Sequence, residues 1–398
     1  MEADQLAPAA AAATAASVLG NDDLLCEILL RLGSSYSLLR AALVSKWWLL
    51  QASSPAFLRR FRNRHTPPLL GFYVSDYGWY EFVPLLQPPE LAALLQRAVS
   101  FDSDDAFFPG CTQIYHCRNG RLISGIYEGG VYKYSLVAPL HAEESIVALP
   151  PAPLPSLYGD TDTMFTEIFL PEDGSRDDIT LVHLCKVGRK VYAEVYVLGM
   201  GGWSVSATTE TVLAPQYATT FVIDMLPPVH GKVFMVTTLG YTLGLDLAAP
   251  SFFTLELPTG VRFNYILSCV KNSGLHLIYA DGFQLSVWLH QMTDDNSGWM
   301  LLDTFCIREA CARVAGESWV LGDDDFIWVA AVGDNAEFVF LDHVVGGIVF
   351  YVHLKKRVVK KVYQRTGGVH ASQVRIDPVM MPWPPIFPAR IVGHDQEE

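Results

Sequence analysis

The most constraining feature of the sequence is a strand pattern that recurs through residues 68–395. One unit runs from Asn119-Gly120-Arg121-Leu122 to Leu149-Pro150, and another runs from His230-Gly231-Lys232-Val233 to Leu257-Pro258. Each unit contains a turn glycine, a basic residue, an apolar strand, a glycine turn, a second strand, a proline and a third strand. A unit of this size cannot bury its apolar faces alone, so the pattern predicts that neighbouring units stack.

Weaker copies of the unit begin at Gly188, at Gly274 and near Asn335. Gly188, Gly231 and Gly274 follow one another at intervals of 43 residues. Four-stranded units repeated every 40 to 50 residues or so are typical of propeller blades. The spacing therefore predicts an all-β domain, a β-propeller of about six blades. A large β-sandwich is the alternative.

Turn dipeptides separate the predicted strands. Asp281-Gly282 and Gly346-Gly347 each lie between two alternating apolar segments, which is a strong hairpin signal. A further strand pair, residues 70–74 and 80–83, opens the region. Residues 89–100 alone have a helical pattern in this part of the chain.

A different pattern occupies the N-terminal part of the chain. Residues 1–17 are rich in alanine without an amphipathic face and are predicted to be a disordered leader. Residues 18–65 predict a small all-α domain of four helices. Asn21-Asp22-Asp23 is placed to begin the first helix, Gly33 to cap its end, and Ser53-Ser54-Pro55 to begin the last. Residues 66–398 then form the β-rich domain.

Composition excludes several classes of protein. The chain has 398 residues, of which 51% are hydrophobic, and a net charge of −14, which argues against general nucleic-acid binding. Seven irregularly spaced cysteines do not suggest a secreted disulfide scaffold. Neither a secretory signal nor a run of apolar residues long enough for a membrane helix is present. We expect a protein of the cytoplasm, the nucleus or both, without membrane attachment.

Motifs that could carry chemistry are weak. Cys111, His116 and Cys117 lack the second ligand pair of a zinc site, so buried strand residues are the better interpretation. Residues 199–202, a glycine-rich run, are followed by a strand pattern rather than a helix, which predicts a β-turn and not a dinucleotide loop. Residues 323–325 are three aspartates without the ligand spacing of a calcium loop. Residues 355–361 resemble a nuclear-import patch, but their alternation with valines favours an exposed or edge strand. We expect neither catalytic residues nor a metal or cofactor.

The helical segment resembles an F-box. Residues 21–57 read NDDLLCEILLRLGSSYSLLRAALVSKWWLLQASSPAF, with an acidic start, a Leu-Leu-x-Glu-Ile-Leu core, a Val-Ser-Lys-x-Trp run and a closing Ser-Pro-x-Phe. The usual Leu-Pro start is here Leu19-Gly20-Asn21. The Ala-rich leader and the LLGFYV that follows the box are similar to the large F-box families of grasses, whose C-terminal halves are β-rich and propeller-like.

The resemblance implies a role as an interaction protein. An F-box binds a Skp1-like adaptor, which connects it to a cullin–RING ubiquitin ligase, while the C-terminal domain selects a protein substrate. The residues that the resemblance assigns to adaptor binding are Leu19, Leu25, Ile28, Leu29, Val44, Lys46 and Trp48. Residues 19–65 carry a charge of +4 and residues 66–398 a charge of −16. A basic box suits an acidic adaptor, although an arginine face exposed to solvent needs no partner.

Three functions remain open from the sequence. The first is a non-catalytic substrate receptor of a ubiquitin ligase. The second is a propeller enzyme, a lyase or a glycoside-acting protein, with an incidental helical N-terminus. The third is an F-box protein that acts outside a ligase. The substrate is not visible in the sequence, but acidic and aromatic loops, at Trp79, residues 102–105 and residues 323–325, predict a partner with a basic docking segment.

Overall fold

The structure, a computed structural model, divides the chain into two compact units. One comprises residues 1–69 together with 380–398, and the other comprises residues 70–379. The residues that the structure describes are 21–33, 35–65, 67–76, 79–85, 113–129, 131–140, 146–157, 159, 161–171, 176–270, 274–291, 298–316, 325, 327–333, 336–365 and 373–385. The leader, the predicted helix at 89–100 and Asn335 lie outside them.

The described residues of the first unit form four helices: α1 (Asp22–Leu30), α2 (Ser35–Ala42), α3 (Lys46–Ser53) and α4 (Pro55–Arg64). Their starts follow from the sequence, because Asn21, Ser45 and Ser54 each accept a hydrogen bond from a backbone N–H of the first turn. The predicted cap at Gly33 is wrong. Helix α1 already ends at Leu30, and the backbone N–H of Arg31 bonds back to the carbonyls of Ile28 and Leu29.

The core of this unit is apolar and includes a residue from the far end of the chain. Its fully or almost fully buried members are Leu25, Leu29, Leu30, Leu38, Ala42, Ala52, Phe57, Phe61 and Trp383. The rings of Phe61 and Trp383 stack with centroids 5.8 Å apart. The backbone N–H of Met381 also donates to the carbonyl of Pro68 at 2.9 Å. Residues 380–385 therefore pack with the helices, whereas the sequence grouped them with the β-rich domain.

The second unit is a six-bladed β-propeller. Its strands are β1 (Leu69–Asp76), β2 (Trp79–Pro84), β3 (Gln113–Arg118), β4 (Arg121–Glu128), β5 (Val131–Val137), β6 (Ile146–Ala148), β7 (Thr163–Phe169), β8 (Ile179–Val187), β9 (Lys190–Gly199), β10 (Gly202–Val212), β11 (Val222–Met225), β12 (Lys232–Thr237), β13 (Tyr241–Asp246), β14 (Ser251–Glu256), β15 (Tyr265–Val270), β16 (Gly274–Asp281), β17 (Gln284–Gln291), β18 (Trp299–Cys306), β19 (Trp328–Val332), β20 (Phe338–His343), β21 (Ile348–His353), β22 (Val358–Gln364) and β23 (Arg375–Met380). A short helix, α5 (Arg308–Ala315), follows β18.

Five blades are antiparallel sheets of four consecutive strands, β3 to β6, β7 to β10, β11 to β14, β15 to β18 and β19 to β22. The first strands of adjacent blades approach one another, as β3 does β7 and β15 does β19, so these strands surround the central channel. In the sixth blade the described strands have the order β2-β1-β23, and the ring is closed by pairing an early strand with a late one. The predicted propeller is confirmed and the sandwich alternative is excluded.

The repeat in the sequence marks the blades imperfectly. Gly120 and Gly231 lie in the turn between the first and second strands of their blades, and Gly274 begins the second strand of its blade. Gly188 instead lies between the second and third strands, β8 and β9. The first of the two 43-residue intervals therefore joins non-equivalent turns. Both kinds of turn place glycine at positive φ, 58° at Gly188 and 72° at Gly231, so the sequence signal does not distinguish them.

Candidate functional site

An apolar surface is exposed on the helical unit. Ile28 on α1 is 36% exposed, and Leu43 and Val44, between α2 and α3, are 68% and 66% exposed. Leu24 and Leu50 are exposed nearby in sequence on α1 and α3. So much exposed aliphatic surface on so small a unit is typical of a protein-binding site.

Polar contacts hold the helices that carry this surface. The guanidinium of Arg60 on α4 donates to the Glu27 carboxylate on α1 at 2.6 Å, and Arg64 lies 3.7 Å from the same carboxylate. The Gln51 amide on α3 donates to the Asp22 carboxylate at 2.8 Å. Two of the arginines of α4 are thus engaged within the unit, so they serve partly to join α4 to α1.

The residues assigned to adaptor binding fall into three groups. Ile28, Val44 and Lys46 are exposed and Trp48 is half-buried, so these four can contact a partner. Leu25 and Leu29 are fully buried in the helical core. The expectation that Leu29 offers an exposed contact is wrong, because α1 turns Leu25 and Leu29 inward and Ile28 outward. Leu19 lies outside the described residues.

Trp47 and Trp48 are adjacent on α3, and both are half-buried. Neighbouring side chains on a helix point about 100° apart, so two tryptophans in succession cannot both enter one core. The sequence predicted that at least one of them faces outward. In the structure they share the boundary between core and surface, which leaves part of each indole available for contact.

The predicted acidic docking loops are not recovered as a site. Residues 102–105 and Asp323 and Asp324 lie outside the described residues, as does the side chain of Trp79. Asp325 is described, but its side chain is only 16% exposed and lies 3.7 Å from the His343 imidazole. Asp325 is therefore wrong as an exposed docking residue, because it is turned toward the blade interior.

The remaining motifs are structural. The His116 imidazole Nδ1 accepts a hydrogen bond from the backbone N–H of Leu170 at 3.0 Å, and burial lowers its pKa to about 3. Burial also raises the pKa of the Cys117 thiol. Cys111 lies outside the described residues, within which no group of three possible metal ligands occurs. Residues 199–202 form the turn between β9 and β10, as predicted. The edge-strand prediction holds for residues 358–361, which lie on β22 at the edge of its sheet, but residues 355–357 form the turn before that strand.

The channel carries charged residues that the sequence analysis missed. Glu167 is on β7 and Asp224 is on β11, and each of these is the first strand of its blade. Arg375 and Asp377 are on β23, the strand that closes the ring. The Arg375 guanidinium binds the Asp377 carboxylate at 3.2 Å and donates to the Tyr115 carbonyl at 2.8 Å. The available signal was a single charged residue inside an otherwise uncharged strand, as in TMFTEIF.

Comparison with known proteins identifies the propeller type. A family model described as F-box protein AT5G49610-like, beta-propeller matches residues 113–387. No curated protein matches the chain. Within the part of the chain that the structure covers, no helix combines the length and the hydropathy needed to cross a bilayer.

The solved structures that this chain is similar to are distant. A virginiamycin B lyase from Staphylococcus aureus, in a catalytically inactive form with quinupristin, is 8% identical with a TM-score of 0.36, covering 64% of this chain and 70% of its own. The Cps50 (Swd1) β-propeller domain of Myceliophteria thermophila is 11% identical with a TM-score of 0.35, covering 62% and 83%. These similarities carry no argument about function.

Proposed function

Because this chain belongs to the F-box protein AT5G49610-like β-propeller family, we propose that it is the substrate-recognition subunit of a Skp1–cullin–F-box ubiquitin ligase. In this role the helical unit binds a Skp1-like adaptor, and the propeller binds the protein to be ubiquitinated. The subunit itself is non-catalytic, since ubiquitin transfer belongs to the ligase it joins. The grass-type resemblance and residence in the cytoplasm or nucleus remain parts of the proposal.

The observation that carries the proposal is the exposed apolar surface of Ile28, Leu43 and Val44 beside Lys46. Among the described residues, the core of the helical unit packs without these side chains, which leaves them available to a partner. Burying exposed aliphatic side chains against a partner contributes roughly 25 cal/mol per Å² of apolar surface. A lysine within an apolar patch adds selectivity for a partner with a carboxylate at the matching position.

A matched pair of substitutions tests the adaptor site. Val44→Asp places a charge in the apolar surface, and we expect it to weaken adaptor binding by at least tenfold, since an unpaired carboxylate would be buried on association. Val345→Asp, at a valine 75% exposed on the propeller, is the control and should leave the affinity unchanged. Calorimetric titration of the full chain with a Skp1-like adaptor measures both, and circular dichroism verifies folding. A wild-type chain that is folded but does not bind the adaptor at micromolar concentration would refute the ligase role.

A further inference from the structure

The channel residues Glu167, Asp224, Asp377 and Arg375, which we call the channel cluster, form a mixed group with an excess of carboxylates. Three carboxyl groups face one guanidinium. Arg375 is engaged by the Asp377 carboxylate and the Tyr115 carbonyl. Asp224 accepts a hydrogen bond from the backbone N–H of the next residue, Met225, at 2.8 Å. Glu167 makes no hydrogen bond or ion pair with any residue that the structure describes.

These side chains face water although protein surrounds them. Asp224 is exposed and Arg375 has 47% of its side chain exposed, yet burial by the surrounding protein raises the pKa of the Asp224 carboxyl, while the Asp377 carboxylate raises the pKa of Arg375 against the effect of burial. A side chain that contacts water but has protein on most sides is expected on the wall of a narrow, water-filled space. The strands that carry the cluster surround the channel, which is that space.

The carboxyl groups influence one another across the channel. Burial raises the pKa of Glu167 to about 8, and the charges of Asp224 and Asp377 add to the rise while Arg375 opposes it. Burial and Asp377 likewise raise the pKa of Asp224. The other titratable groups that face Glu167 are Tyr115 on β3 and Tyr134 on β5, both with pKa values raised by burial. One guanidinium therefore does not match three ionised carboxylates, and Glu167 keeps its proton near neutral pH unless a further cation binds.

A group that binds in the channel cluster should be positively charged and should donate hydrogen bonds to the carboxyl groups. The three carboxyl groups disfavour an anion. Arg375 would not attract one either, because its guanidinium already donates to the Asp377 carboxylate and the Tyr115 carbonyl. Among the described residues no group is arranged to hold a metal ion. An ammonium or guanidinium group has several N–H donors for separate carboxylates and tolerates a nearby Arg375 through intervening solvent.

We propose that the channel cluster is a receptor for a lysine or arginine side chain of the target protein. This inference rests on the proposed function, because it takes the bound molecule to be the protein that the ligase selects. Glu167, which loses its proton on binding, and Asp224 provide the carboxylates for the bound cation, and Arg375 holds Asp377 in place. The sequence predicted a partner with a basic docking segment, and this proposal keeps that partner. It places the binding site in the channel instead of on the outer loops.

Peptide binding to the full chain tests the receptor. The probe is a labelled ten-residue glycine-serine peptide with two central lysines, and its partner control has two glutamates instead. We expect the lysine peptide to bind and the glutamate peptide not to bind, by fluorescence anisotropy. The double variant Glu167→Gln, Asp224→Asn should weaken binding of the lysine peptide by about tenfold or more. The control double variant Glu210→Gln, Glu256→Gln removes two exposed carboxylates from β10 and β14 and should change it less than twofold.

The pH dependence separates a channel site from general attraction to an acidic protein. Because Glu167 is mostly protonated at pH 7, binding of a cation must release its proton, and the affinity should rise between about pH 7 and pH 9. Glu167→Gln should remove this rise. The lysine peptide keeps its charge over the same range.

Three outcomes overturn the proposal. The first is equal binding of the two peptides, or equal losses in the two double variants. The second is a rise of affinity with pH that survives Glu167→Gln. The third is displacement of the lysine peptide by spermidine at lower concentration than by unlabelled peptide, which would assign the channel to free polyamines. Adaptor affinity, measured on the same samples, reports separately on the proposed function.

Discussion

The helical unit keeps its ion pairs at the surface, whereas the propeller buries one of its own. Glu27 and Arg60 have side chains 42% and 54% exposed, while Asp342 and Arg365 have side chains 0% and 1% exposed at an N–O distance of 2.5 Å. Asp342 also accepts a hydrogen bond from the backbone N–H of Val374 at 2.9 Å, directly before β23. The helical unit therefore packs through aromatic rings, whereas in the propeller a buried charge pair also binds the backbone directly before the closing strand.

The largest expected effect comes from breaking the buried pair. Arg365→Met leaves the Asp342 carboxylate without its cation inside the blade, and we expect a loss of about 3–5 kcal/mol in the free energy of unfolding of the propeller. Denaturant titration followed by β-sheet circular dichroism measures it. Lys133→Met, which removes an exposed pair with Glu128 at 2.7 Å, is the control and should cost about 0–1 kcal/mol. Equal losses of unfolding free energy in the two variants would show that the buried pair stabilises the propeller no more than the exposed pair does.

The second prediction concerns the helical unit. Trp383→Ala removes the ring stacked on Phe61, and we expect a loss of about 3 kcal/mol confined to the helices. Limited proteolysis of the full chain should then cut within residues 21–65 while the propeller stays intact. Trp383→Phe retains much of the stacking and should restore most of the protection. A propeller destabilised as much as the helices would contradict the assignment of Trp383 to the helical core.

The third prediction tests the packing within a blade. A Cβ added to Gly244 on β13 would lie 2.1 to 2.5 Å from the Phe253 ring on β14, so Gly244→Ala should cost about 1–3 kcal/mol. Gly199→Ala, at a turn with open space around the glycine, should cost little. In a Phe253→Leu background the cost of Gly244→Ala should fall, because the smaller side chain relieves the overlap. Thermal unfolding of the wild type and the four variants, including Phe253→Leu alone, checks the set.

The smallest expected effect is a pH dependence from His116. Its pKa is about 3 in the folded protein and about 6.5 when unfolded, so the unfolded state binds the proton more tightly. The stabilisation is complete above pH 6.5 and is lost as the pH falls toward 3. We expect a loss of about 2 kcal/mol by about pH 5. His116→Asn, whose side-chain oxygen can accept the same hydrogen bond from Leu170, should lack this loss, and the difference between the wild-type and variant stability curves measures it, since Glu167 titrates in the same range in both proteins.

Local patterns in the sequence predicted the elements well. Two helix starts were recognisable because the side chains of Asn21 and Ser54 satisfy free N–H groups, and hairpins were recognisable because their turns require glycine. The boundaries between blades were harder to predict from the sequence. A glycine turn marks every hairpin in a blade alike, so Gly188 was aligned with the wrong turn.

Long-range relations were not predictable from local patterns. The pairing of β23 with β1 and the stacking of Trp383 on Phe61 join residues about 300 positions apart, and no periodicity records such a contact. Glu167 and Asp224 appeared as isolated charges for the same reason, since they share a channel only after the blades are arranged in a ring. The exposed residues Ile28, Val44 and Lys46 were found because the F-box motif is contiguous.

Closure by a late strand has a consequence for biosynthesis. Strand β1 leaves the ribosome about 300 residues before β23, which at about 5–20 residues per second is an interval of roughly 15–60 s. Throughout that time the edge of β1 has no partner strand, and Phe61 has no Trp383 to cover it. Unpaired strand edges and exposed aromatic rings are the surfaces that chaperones bind and that aggregate when they are not protected. The nascent chain therefore needs protection during synthesis, and translational pausing near residue 375 would prolong that need.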